Sequence, residues 1–114
     1  MTWFKNLFKS TPVNQFSSGD WLNEFKGDKN AVMIDVRSPG EFASGHIPKA
    51  INNDVFNGDF NSKMAQFDSN TKLYVYCRSG KRSMMACRKL YKLGFENLYN
   101  LQGGIMSYNG PIKK

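Results

Sequence analysis

The sequence predicts a single α/β domain built on a mainly parallel sheet. Three observations predict it. Apolar runs rich in β-branched residues alternate with helical spacings along the chain. Two of the runs, AVMIDV (31–36) and KLYVYC (72–77), are nearly continuous, as suits strands buried on both faces. The chain has 114 residues, 40% hydrophobic and 14% aromatic, enough for one core but not comfortably for two.

The first twelve residues form a separate segment. Trp3, Phe4, Leu7 and Phe8 fall on one side of a short helix, with Lys5 and Lys9 elsewhere. That spacing fits a terminal amphipathic turn covering an edge of the core better than a membrane-surface or docking helix. VNQF (13–16) reads as a short strand, and Ser17 or Ser18 offers an N-cap before the apolar set Trp21, Leu22 and Phe25. GDKN closes that helix, and AVMIDV follows as a buried strand. In RSPGEFASGHIPKAINN, Pro39, Gly40, Gly45 and Pro48 divide the chain into a helical turn, a loop and a brief strand near Ala50 and Ile51. Phe60, Met64 and Phe67 predict a helix over 58–67, and DSNTK turns into the strand KLYVYC. Met84, Cys87, Leu90 and Tyr91 predict a helix from about Ser83 to Leu93, ended by Gly94. ENLYNL is the last strand. The domain spans 13–110, and 111–114 form a basic tail. Such alternation implies right-handed crossovers and a ligand site at the carboxyl ends of the strands, where Cys77 lies.

Charge and composition narrow the function. Lys plus Arg number 16 against 9 Asp plus Glu, a formal charge of +7 that favours anionic partners. Aromatics are not interleaved with basic residues in a stripe, so nucleic acid is not the expected partner. Two cysteines cannot make a disulfide scaffold and one histidine leaves too few ligands for a structural zinc, so a reducing compartment, the cytoplasm, fits best and no metal is expected. The start lacks the apolar stretch of about 7–15 residues that a signal peptide needs, and no segment is apolar enough to span a bilayer.

YCRSGKRS (76–83) carries the chemistry. A strand, the loop CRSGKR and a helix beginning near Ser83 would curl five successive backbone amides around the sulfur of Cys77, an anion cradle at a helix N-terminus. Arg78, Lys81 and Arg82 add full positive charges that favour thiolate and draw in anions. Gly80 permits the tight path, and the hydroxyl of Ser83 would cap the helix. Three cations within five residues suit a reactive cysteine better than an inert one ending a strand.

Four stretches in order, MIDVRSPGEFASGHIPKAIN (33–52), YVYCRSGKRS (74–83), LYKLGFENLYNL (90–101) and QGGIMSY (102–108), resemble the single-domain rhodaneses, a sulfurtransferase family, over roughly residues 13–108. The resemblance implies the rhodanese-like three-layer fold, a central sheet with helices on both faces. It implies a sulfurtransferase in which Cys77 carries a persulfide between thiosulfate, or a similar anionic donor, and cyanide, a thiol or a protein acceptor. No cofactor is implied, and a monomer is expected.

In this reading the loop amides, with Ser79 and Gly80, hold the transferred sulfur, and Arg78 and Lys81 receive the donor anion. Arg82 either faces the donor or turns inward to Asp35 or Glu41. Asp35 accepts loop amides, Arg37 pairs with Glu41, and His46 supports a loop; all four serve structure rather than acid–base chemistry. Cys87, on the apolar helix face with Met84, Leu90 and Tyr91, is core rather than a resolving cysteine. A cysteine phosphatase would need Arg six positions after Cys77; position 83 is serine, Arg82 comes one residue early, and the shorter loop suits sulfur better than phosphate. The non-enzymatic alternative is a persulfide carrier or a protein-binding module. Three departures from the family pattern are Lys81 where a neutral residue is usual, Tyr108 in place of tryptophan, and the short tail NGPIKK.

Overall fold

The computed structural model of the chain describes residues 12–114; the expected amphipathic turn at the N-terminus lies outside them. Five strands, β1 (Asn14–Phe16), β2 (Val32–Asp35), β3 (Ile51–Asn52), β4 (Leu73–Tyr76) and β5 (Leu98–Leu101), form one parallel sheet in the order β1-β5-β4-β2-β3. Four helices, α1 (Ser18–Lys26), α2 (Pro39–Ala43), α3 (Phe60–Met64) and α4 (Lys81–Lys92), and a 3-10 turn at Ile105–Ser107 complete it.

Side-chain alternation along the strands divides the interior into two cores. Ile34, Leu73, Val75 and Leu98 point to the side of α3 and α4, where Phe60, Met64, Ala86, Cys87 and Leu90 meet them. Met33, Tyr74, Tyr76 and Leu101 point to the other side, against Trp21 of α1. Trp21 is fully buried, stands edge-on to Tyr74 and Tyr76 at 5.8 and 5.9 Å, and donates its indole N–H to the carbonyl of Tyr99 at 3.1 Å. Both of its halves are thereby satisfied, and its truncation to alanine costs about 3–5 kcal/mol.

The helical turn expected after Pro39 is a capped one. Ser38 Oγ accepts the amide of Glu41 while the Glu41 carboxylate accepts the amide of Ser38, and Pro39 sits where its missing N–H costs nothing. Two of the predicted helices change. The helix predicted over 58–67 is only the five residues of α3, with Phe67 beyond its end. The helix predicted from Ser83 starts at Lys81 and is preceded by Gly80 at φ 105°, so Ser83 lies inside its first turn, fully buried, and does not cap it. The left-handed turn at Gly80 tightens the loop and brings the helix start closer to the strand. The buried face of α4 is Ser83, Ala86, Cys87 and Leu90; Tyr91 is exposed.

Candidate functional site

Cys77 follows β4 at the carboxyl end of the central strand, and its side chain faces α4. The loop Arg78–Gly80 is short because Gly80 adopts a backbone conformation that other residues avoid. Behind the loop, the amides of Ile105 and Met106 donate to the carbonyls of Cys77 and Arg78 at 2.9 and 3.1 Å. Gly104, at φ 66°, lies so close to Arg78 and Ser79 that a β-carbon there would overlap their backbone. The double glycine of QGGIMSY is the sequence signal for this support.

The sulfur of Cys77 is buried. Its Sγ accepts the amide of Gly80 at 3.0 Å and lies 3.4 Å from Oγ of Ser83, which in turn donates to the carbonyl of Gly80 at 3.0 Å. Of the five amides expected around the sulfur, that of Gly80 makes the hydrogen bond seen in the structure. Arg78, Ser79 and Lys81 are exposed.

Arg82 turns inward. It donates to both oxygens of Glu41, at 2.7 and 2.9 Å, so Glu41 is its partner and not that of Arg37 as the sequence suggested. The guanidinium of Arg82 holds the Glu41 carboxyl down at about 2 against desolvation, with the amide and hydroxyl of Ser38 assisting. Arg37 instead pairs with Asp35 two residues before it. Its Nη2 donates to Oδ2 at 2.7 Å and to the carbonyl of Gly45 at 2.7 Å, while its own amide donates to Oδ1 at 2.9 Å. A strand residue and a residue just past the strand end are close enough to form a ring, whereas Glu41 is already engaged by the helix cap. Both members of the Asp35–Arg37 pair are buried, and removing either would strand the other's charge.

His46 stacks on Phe42 with ring centroids 3.7 Å apart, its Nδ1 is 2.9 Å from the carbonyl of Phe42, and its backbone pairs with Lys113. These are contacts of loop and tail. Sequence reasoning missed Asn52, whose side-chain amide donates to the carbonyls of Asp35 and Arg37 at 3.0 and 2.9 Å and fixes the chain leaving β2. Nothing in its spacing signalled that. Cys87 is fully buried, and burial pushes its thiol up to about 12.

A parallel α/β sheet with a cysteine at the carboxyl end of its central strand, held in a tight loop at the start of a helix, defines a class of cysteine-loop α/β domains. The profile of the rhodanese-like domain matches residues 18–110, and the chain belongs to that family. It is 34% identical over 101 residues to YtwF of Bacillus subtilis, a protein with a provisional sulfurtransferase name, covering 89% of this chain and 95% of the relative. YrkF of the same organism, provisionally named a sulfur carrier, is 30% identical over 91% of this chain and 55% of its own length. The crystal structure of a rhodanese-related protein from Thermoplasma volcanium superposes with a TM-score of 0.75 at 27% identity, covering 89% of this chain and 98% of the other. Among the described residues no helix is long and apolar enough to cross a membrane.

Proposed function

We propose that this chain is a sulfurtransferase that takes the outer sulfur of thiosulfate, or of a related anionic donor, onto Cys77 and passes it to a nucleophile. The Cys77 thiolate attacks the outer sulfur; the S–S bond of thiosulfate breaks and sulfite leaves with its electron pair. Cyanide or a thiol then attacks the terminal sulfur of the persulfide, and the Cys77 thiolate is released unchanged. The observation that carries this reading is the Gly80 amide 3.0 Å from Sγ at the foot of α4, a donor aimed where negative charge sits before and after each step.

The charges beside it support a donor anion. Lys81 and Arg82 occupy the first turn of α4, where the helix dipole disfavours cations. Glu41 neutralises Arg82, which leaves exposed Lys81 and Arg78 to meet an incoming dianion. Because Cys77 is buried, the donor reaches it through the loop, whose outer side is formed by exposed Arg78 and Ser79. Asp35, Arg37, Glu41, Arg82 and His46 hold the surrounding chain and take no part in the transfer.

Intact mass after incubation of the reduced protein with thiosulfate tests the proposal. One added sulfur is expected in the wild type and in Cys87→Ser, none in Cys77→Ser, and cyanide should remove it. A folded wild-type protein that gains no sulfur would sink the small-donor reading. The relative bearing a sulfur-carrier name favours the second reading, in which Cys77 is loaded from a protein persulfide.

A further inference from the structure

On the α1 side of the sheet a groove of about 620 Å³ opens between the C-terminal half of α1, the start of β2 and the turn that leads into β3. None of residues 77–83 lines it. Phe25, Ile47, Ile51 and Tyr108 make an apolar floor, and Ile51 is 47% exposed there. Lys26, Lys29 and Lys49 stand on the same groove, all exposed and none in an ion pair among the described residues. The acidic residue that also lines it, Asp28, lies 3.6 Å from Lys72.

Lys49 supplies an independent observation. At φ 77° it is the one non-glycine residue with a left-handed backbone among the described residues. That conformation is unfavourable for a residue with a β-carbon and comfortable for glycine. The turn closes through the amide of Ala50 and the carbonyl of Ile47 at 3.1 Å, a bond that a glycine at 49 would leave intact. A strained backbone that presents a cation to a groove, with no ion pair to that cation among the described residues, points to a ligand.

The occupant follows from charge. Residues 1–11 contain Lys5 and Lys9 and no acidic residue, and a second copy of the chain carries +7, so both would bring like charge to three lysines. We propose that the groove binds an amphiphilic anion of the alkyl carboxylate class. Its tail lies on Phe25, Ile51 and Tyr108 and its head meets Lys49, with Lys26 and Lys29 adding field. The volume is within the range of about 300–1,000 Å³ usual for small-ligand sites. This site is separate from Cys77 and stands whether or not the sulfur chemistry does.

Titration calorimetry of the full chain with decanoate, and with decyltrimethylammonium as a cation of equal tail length, tests it. Decanoate should bind one to one, more weakly as salt is added, and the cation should not bind. Lys49→Gly removes the charge and the backbone strain together. It should weaken decanoate binding about threefold or more while leaving the thermal midpoint level or raised, and adding Lys26→Ala should bring the loss to about tenfold. Thiocyanate formation through Cys77 should be unaffected. Absence of decanoate binding, or equal binding of the cation, would overturn the proposal. So would a lowered midpoint with unchanged affinity in Lys49→Gly, which would make Lys49 a structural residue. Decanoate binding that emerges only when Phe4 and Phe8 are changed to serine would assign the groove to the chain's own first residues. A dimer in sedimentation that decanoate dissociates would assign it to a second copy.

Discussion

Arg82 and Glu41, 41 positions apart in sequence, share two hydrogen bonds of 2.7 and 2.9 Å and join the first turn of α4 to α2. The same carboxylate accepts the amide of Ser38 at 3.1 Å, so one acidic side chain both caps a helix and anchors the cysteine loop. Its carboxyl is held at about 2 against an ordinary value of 4.5. A depressed carboxylate stabilises the fold fully above about 4.5, and the contribution fades as pH falls toward 2 because the unfolded chain takes its proton first. Glu41 is 32% exposed, so solvent reduces the effect: Glu41→Gln should cost about 1–2 kcal/mol near pH 7. Urea unfolding of both proteins between pH 7 and pH 3 should show the difference shrinking with pH; a constant difference would mean the ion pair is not its source.

Gly104→Ala is expected to damage the site without touching it chemically. The new β-carbon would overlap the carbonyl of Arg78 and the amide of Ser79, and the backbone at φ 66° resists any side chain. A loss of about 2–4 kcal/mol of stability is expected, with the loop displaced from the amides of Ile105 and Met106. Circular dichroism melting together with the rate of thiocyanate formation should both fall; a variant stable as wild type and fully active would show that the double glycine does not brace the loop.

Arg78→Ala and Lys81→Ala separate donor binding from chemistry. Both side chains are exposed and neither is in an ion pair among the described residues, so folding should be within about 0.5 kcal/mol of wild type. If they receive the donor anion, the thiosulfate KM rises about threefold to tenfold while kcat holds, and added salt narrows the gap. Equal falls in kcat and kcat/KM would instead place them at the transition state.

Cys87 should be silent. It is fully buried on α4 and its thiol is pushed up to about 12, so thiolate is scarce at neutral pH. Iodoacetamide at pH 7.5 should leave it unmodified until the chain is denatured, and Cys87→Ser should keep sulfur loading intact while lowering stability by about 1–3 kcal/mol, since a hydroxyl replaces sulfur in an apolar core. Native-state alkylation of Cys87 would overturn this.

The α/β class was legible in the chain alone, because AVMIDV and KLYVYC are apolar runs long enough to need cover on both sides, and the segments around them carry helical spacings. The chain alone also determined where Cys77 stands, since a strand that stops at a cysteine before a glycine-containing loop can only end at the sheet's carboxyl edge. Local chemistry of this kind acts between neighbours in the chain and is therefore legible in order. The pairings follow from packing in three dimensions. Arg37 had two acids within reach, and the sheet's geometry gave it Asp35 while the helix cap kept Glu41 for Arg82. Whether Ser83 capped a helix or lay buried inside it depended on the left-handed turn at Gly80, a backbone choice that spacing does not encode. The bracing of the loop by Gly104 and the gathering of Lys26, Lys29 and Lys49 on one groove arise from residues far apart in sequence. They come together only once packing of both cores has fixed how the layers lie.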